Sequence, residues 1–379
     1  MDEITTRTHT TLEDVETLRE RWDELLELSD HHSATQAYAY SISAWNILAA
    51  KRGTSLNIIS AWHEDRLVGI WPLYAQQYRV AVELCHLGCG SFHEYSDPVV
   101  ESGELAPRIA HVLLGAAKAR ADLVRACNLR SGGVSWQAFR DDSSEKRSVL
   151  LTSPVVRLRQ APDWDAWVAK KSRSFRQGLR ADWKRLSEIG DLRFVQMFGP
   201  VDGPRCMDWI FSQKRAWLLR QNIRHSWVLE DEGYAHYALL AERSGIDRKG
   251  ADDILFHALM LDDRIIAAGM SVAGSDRFEF NMMASDPEFA KFGPGSLLTQ
   301  ESLKLALERG VDFDFRISNE AYKKRWIDDY DHYETITIAS NSRGVAALRI
   351  RDIRQRIQKV RAKVGPIIKG PLRQWGILK

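Results

Sequence analysis

The sequence predicts an α/β protein built from two related lobes, and three observations carry that prediction. The chain has 379 residues, a length that suits two domains of about 100 to 200 residues each. A strand-turn-strand pattern over residues 56–62, 63–66 and 67–74 returns 198 positions later, with Asp262-Asp-Arg-Ile-Ile266 standing where Glu64-Asp-Arg-Leu-Val68 stood. Residues 277–309 then run as strand, glycine loop and helix, a unit of layered α/β architecture.

Taken in order, Thr11 opens a helix that carries Leu12, Val15, Leu18, Trp22, Leu25 and Leu26 on one face, with Thr11 and Asp14 as a capping box. A second helix covers residues 37–50, and the first hairpin follows. Beyond it the first lobe passes from Asp97-Pro-Val-Val100 through Glu101-Ser-Gly103 to a helix near residues 104–121, without a glycine loop. That lobe is therefore expected to be degenerate, serving either as one wall of an acceptor groove or as a buttress for the second lobe. Lys170, Lys171, Arg173, Arg176 and Arg180 make a basic helix face opposite Phe175 and Leu179, and a strand follows towards Phe194. The expected boundaries are 1–155 for the first lobe, 156–342 for the second and 343–379 for a tail.

The tail holds 11 Lys or Arg against Asp352 alone, so it is +10 while the whole chain is +2 and the remainder −8. Ile350, Ile353, Ile357, Val360 and Val364 follow helical spacing, which fits either an anionic membrane surface or a stripe docked on the body. Composition is otherwise that of an ordinary globular protein, at 44% hydrophobic and 27% charged, and 13 tryptophans supply grooves as well as cores. The first residues lack a basic segment followed by an apolar run, so a cytoplasmic location is expected, with membrane contact only peripheral. Four cysteines are too few for a secreted framework, and reduced thiols are expected. Cys85, Cys89 and His93 do not have a zinc spacing, and no metal is expected.

The loop before the last predicted helix is the most informative stretch. Gly293 and Gly295 let a ligand approach the main chain, and a helix from Ser296, as N-cap, to Arg309, stopped by Gly310, aims free N–H groups at negative charge. A pyrophosphate fits there. The stretch lacks the Gly-Lys-Ser/Thr ending of a nucleotide-triphosphate loop and the third glycine of a dinucleotide fold, so neither ATP nor NAD is favoured.

These residues carry a resemblance. Asp286-Pro-Glu288 through Gly293-Pro-Gly-Ser-Leu-Leu298 resembles the acyl-CoA pyrophosphate loop of the GNAT acetyltransferases. Residues 313–326, Phe-Asp-Phe-Arg-Ile-Ser-Asn-Glu-Ala-Tyr-Lys-Lys-Arg-Trp, resemble the ending of the CelD/BcsL group associated with cellulose and exopolysaccharide biosynthesis, which usually has glycine near Ser318 or Asn319. Residues 170–180 and 186–194 resemble that group's second domain. Trp71-Pro-Leu73 and Tyr95–Val99 match its first half more loosely. The resemblance implies two tandem GNAT-like lobes in a FemABX-like arrangement, each a mixed central sheet flanked by helices, with acetyl-CoA or another acyl-CoA as co-substrate held by Ala284, Lys291, Phe292, Gly293, Gly295, Ser296 and Leu297.

Acyl transfer needs a held thioester, a base for the acceptor and a donor for the leaving thiolate. Tyr322 is the expected donor, with packing as the competing role. Glu320 or Asp286 is the expected base, Asp286 alternatively capping a turn. Arg316, Lys323 and Arg176 are expected to meet substrate anions. The expected activity is N- or O-acetylation of a saccharide or cell-envelope precursor. The rivals are aminoacyl transfer from charged tRNA and a non-catalytic role in a polysaccharide-synthesis assembly. The retained glycine loop argues against nucleic acid as a partner.

Overall fold

Local sequence sets the elements before packing does. The computed structural model describes residues 3–48, 53–87, 89, 95–224, 226–244, 254–317 and 320–374, and for residues 48 and 359–374 the main chain alone. His93, Ser318 and Asn319, and the side chains of Val360 and Val364, lie outside the described residues. The first half holds β1 (Ile4–His9), α1 (Leu12–Glu16), α2 (Arg19–Glu27), α3 (Tyr38–Leu48), β2 (Thr54–His63), β3 (Arg66–Tyr78) and β4 (Ala81–His86). It continues with β5 (Val99–Val100), α4 (Ala106–Lys118), β6 (Leu123–Arg130), α5 (Val134–Asp141) and β7 (Lys146–Val156). The second half holds α6 (Trp164–Ala169), α7 (Arg173–Ser187), β8 (Leu192–Met197), α8 (Gly199–Arg220), α9 (Asp231–Arg243), β9 (Ile254–Leu261) and β10 (Arg264–Ala273). It ends with β11 (Arg277–Ser285), α10 (Pro294–Glu308), β12 (Asp312–Asp314), β13 (Asp329–Ala339) and α11 (Ser342–Gln374).

The single helix expected after Thr11 is two. Thr11 Oγ1 does accept the Asp14 N–H at 3.2 Å, but the Thr17 hydroxyl donates to Asp14 O at 2.6 Å and the helix breaks before resuming at Arg19. A threonine side chain competing for a backbone carbonyl is the cause. The repeated hairpins are present, and their turns take the same left-handed backbone at equivalent positions, Glu64 at φ 55° and Asp262 at φ 53°.

Among the described residues, thirteen strands join in one mixed sheet, ordered β1-β2-β3-β4-β6-β13-β7-β12-β11-β10-β9-β8, with β5 beside β3. The two halves are related through its middle. β4 runs parallel to β6 as β11 does to β12, and the last strand of each half crosses over, β7 pairing with β12 and β13 with β6. The two exchanged strands pair with each other from Asp329↔Val155 to Ile338↔Lys146. Helices cover both faces. One core draws Trp22, Tyr40 and Ile58 from the first half and Phe211, Tyr237 and Met270 from the second, so the lobes share buried apolar surface. Phe278, Leu298 and Phe313 face the other side, under α7 and α10.

α11 is rooted by its first turns. Ala347 and Leu348 pack on Ala81, Leu123 and Ala339, and a Cβ on Gly344 would stand 2.0 Å from Asp122 O, so glycine is what lets the helix start there. Cys89 is disulfide-bonded to Cys127, which corrects the expectation of reduced thiols at those two; Cys85 and Cys206 are free and buried. The two bonded residues lie 38 apart in sequence.

Candidate active site

The site is assembled where β11 parts from β12. Pairing between them covers only Arg277↔Asp312, Phe278↔Phe313 and Glu279↔Asp314, although β11 continues to Ser285. From Phe280 onward β11 has no strand partner on its β12 side among the described residues, which leaves a notch between the two strands. The register against β10 shifts there: Phe280 faces Ser271 and Met282 faces Met270, so Asn281 is an extra, bulged residue. Bulges of this kind re-aim side chains beside functional sites. Asn281 Nδ2 donates to Tyr237 Oη at 2.8 Å.

At the far end of β11 lies the glycine loop. α10 begins at Pro294 with Gly293 as N-cap in the left-handed region, φ 59°, which corrects the expected start at Ser296. Pro294 has no N–H, and the Ser296 and Leu297 N–H groups turn back to Gly293 O at 2.9 and 3.3 Å, leaving the Gly295 N–H without an acceptor among the described residues. Gly295 packs on Met283, whose Sδ would be 3.3 Å from an added Cβ. Arg325 donates to Ser296 Oγ at this helix end, and Arg185 and Lys291 lie 5.7 and 4.9 Å from the Phe292 ring centre. A helix N-terminus whose Gly295 N–H has no acceptor among the described residues, with Arg325 at the same end, suits a phosphate group, while Arg185 is already paired with Asp182, whose carboxylate lies beside Gly293. Ala284 and Leu297 are buried supports of this loop. Arg176 is half-buried on α7, which packs against α10 and residues 287–292.

The other end of the notch meets a cavity of about 500 Å³ between the lobes. Tyr95, Asp97 and Arg130 line it from the first half and Arg277, Glu279 and Tyr333 from the second. Behind this lining is a buried ionic cluster. Arg277 bridges Asp276 at 3.1 Å and Asp314 at 3.3 Å and donates to Tyr333 Oη; Tyr95 Oη donates to Asp314 at 2.7 Å; Arg130 reaches Asp276 at 2.5 Å. Burial opposes ionisation of Asp276, yet the hydrogen bond from His31 and the charges of Arg277 and Arg130 hold its pKa well below the usual range. Ser153, from exchanged strand β7, donates to Asp314, and Tyr95 stacks on Tyr333 at 4.4 Å.

Glu279 differs from its neighbours. It is fully buried; the Ser33 side chain and Arg316 approach it, but neither carboxylate oxygen meets a donor at standard hydrogen-bond geometry among the described residues. Burial pushes its pKa up to about 7, opposed by Arg316, whose Nε lies 3.8 Å away, and reinforced by Asp314. Arg316 itself is held at φ 61° just beyond β12, so the splay of the chain is what aims it at Glu279. Burial likewise raises Asp97 to about 6. The sequence reading missed Glu279. Its signal was the charged alternation of Arg277-Phe-Glu-Phe280 inside a strand buried on both faces, where a carboxylate must have a purpose or a partner.

The predicted acid and bases are spread out. Tyr322 packs its ring edge-on against Phe315 at 6.4 Å, and burial with Glu320 nearby raises its pKa. Glu320 is half-exposed and pairs with Lys323 at 2.9 Å, while Lys323 also donates to Phe315 O at 2.8 Å. Asp286 accepts the Glu288 N–H at 3.0 Å and pairs with Arg264 at 2.6 Å, the turn-capping arrangement.

Comparison with known proteins agrees with this architecture. Residues 173–324 match the family described as acetyltransferase (GNAT) domain. The fold is similar to that of FemX, at 12% identity and a TM-score of 0.61 over 88% of this chain and 96% of that one. It is also similar to that of L-PGS from Bacillus licheniformis, at 13% identity and a TM-score of 0.51 over 87% and 95%. Identities this low speak to the fold alone. No curated protein matches the chain by sequence.

Proposed function

We propose that this GNAT-fold protein is an acyltransferase that moves an acyl group, acetyl first among the candidates, from its CoA thioester to an amine or hydroxyl of a saccharide or related precursor. The observation that carries the reading is one strand with a phosphate-suited helix end at one terminus and an ionisable buried carboxylate at the other. The six residue steps from Glu279 to Ser285 span about 20 Å, the reach of an extended pantetheine arm. The loop around Gly295 and Arg325 would hold the pyrophosphate, and the open edge of β11 past the bulge would take the arm.

Glu279 replaces Glu320 and Asp286 as the preferred base. A carboxylate with a pKa of about 7 is partly ionised at neutral pH and strong enough to take a proton from an acceptor entering through the cavity. Tyr322 stays the proposed proton donor to the leaving thiolate, since its raised pKa keeps the phenol protonated. The stacked Tyr95 and Tyr333, with Asp97 and Arg130 beside them, offer apolar faces and hydrogen-bonding groups together, as a sugar requires. The test is a thermal-shift titration with acetyl-CoA, longer acyl-CoAs and free CoA, because a ligand of the native state raises its stability. A melting temperature unmoved by any of them would sink the reading and bring back an aminoacyl-tRNA donor or a non-catalytic role.

A further inference from the structure

We infer that α11 beyond its root is a docking helix for an anionic lipid surface. The root is fixed: Gly344, Ala347 and Leu348 are buried, and Asp352 pairs with Arg147 at 2.7 Å. One turn later the packing ends. Ile353 is 56% exposed and Ile357 47%, although both continue the apolar stripe that Ile350 begins. Successive residues turn by about 100°, so Arg349 and Arg356 flank one side of that stripe and Arg351 and Arg354 the other. An apolar strip bordered on both sides by arginine is the arrangement of a helix lying in a headgroup layer, its isoleucines dipping inward and its guanidinium groups meeting phosphate.

Other occupants fit less well. A second copy would bring one +10 tail against another, and an RNA would satisfy the arginines while leaving the isoleucines in water. The −8 remainder of the chain is repelled by an anionic surface, so attraction has to come through the tail. Among the described residues no helix is long and apolar enough to cross a membrane. The tail also stands clear of the site: β6 runs from Leu123, at the root, to Arg130, in the cavity lining, a separation of about 25 Å.

The experiment is co-sedimentation of the full chain with vesicles of phosphatidylcholine alone and of equimolar phosphatidylcholine and phosphatidylglycerol. It compares the wild type with the double variant Ile353→Glu, Ile357→Glu, whose sites are in solvent and whose melting temperature is expected to equal that of the wild type. The wild type is expected on the anionic vesicles only, with binding that weakens as salt rises. The double variant is expected to bind about tenfold or more weakly. Wild-type protein that stays in the supernatant, binds both vesicles alike, or binds no better than the variant overturns the inference. So does a dimer in sedimentation velocity that the double variant dissolves, which would make a second copy the occupant.

Discussion

Replacing Glu279 by glutamine tests the site through two independent measurements, one of which needs no substrate. The side chain is fully buried beside Arg316 and Asp314, and its pKa of about 7 stands well above the unfolded value of about 4.3. Between those two values the folded protein binds a proton that the unfolded chain has released, so wild-type stability falls as pH rises. The contribution is fully present below about pH 4, and is lost through about pH 7. Each unit of difference is worth about 1.4 kcal/mol, so the total loss is of order 4 kcal/mol. The glutamine amide that replaces the carboxyl group does not titrate. In denaturant unfolding at a series of pH values, the stability of the variant relative to the wild type should rise by about that amount between pH 4 and pH 8, with all other groups cancelling in the difference. The catalytic measurement is turnover with a reactive acceptor, followed as CoA release. Wild-type rate should climb with pH through about 7, and the Glu279→Gln variant should be slower by about 10² to 10⁴ with that limb gone. A flat stability difference would refute the perturbed carboxylate. An unchanged rate would refute its role as base even if the stability difference appears.

Three further outcomes probe the donor side. Gly295→Asp should abolish CoA binding in calorimetry while the protein stays folded, because a carboxylate would occupy the phosphate position and its Cβ presses only on the flexible Met283 side chain; unchanged affinity would remove the loop from the mechanism. Arg325→Ala should weaken CoA binding by about tenfold, the scale of one charge-assisted hydrogen bond, and an affinity equal to the wild type would leave Arg325 as a cap for Ser296. Tyr322→Phe should keep CoA affinity and lower turnover by about 10²; full turnover would make Tyr322 a packing residue against Phe315.

What the sequence made legible was local. The hairpin repeat, the strand at 277 and the glycine-started helix are encoded in alternation, turn residues and glycine, each within a few positions of the others. The helix start moved from Ser296 to Gly293 because a left-handed glycine followed by proline caps a helix without a side-chain hydrogen bond, and a serine at the third helical position looks the same in sequence. Asp286 drew attention for its place beside the loop, and only the position of Arg264, 22 residues earlier, shows it held in an ion pair and a turn. Glu279 needed tertiary information of another kind. Its raised pKa arises first from burial between the two halves and then from Asp314, with Arg316 opposing, and none of these is near it in sequence.

The exchange of β7 and β13 ties the first half of the chain to the candidate site. Asp314, which orders Arg277, is itself held by Ser153 from β7, by Tyr95 from the first lobe and by Arg277, while Tyr333, on β13, lies between β6 and β7 in the sheet. The groups that position Glu279 and Arg316 are thus distributed over both halves, and the cavity in front of them has walls from each. A second lobe cut away from the first would lose β7 from the edge of β12 and Tyr95 from Asp314, leaving a buried carboxylate and guanidinium with fewer partners in a low-polarity site, where each loss is costly. The first half therefore does more than buttress: it supplies a strand, a wall and part of the charge balance on which the proposed base depends.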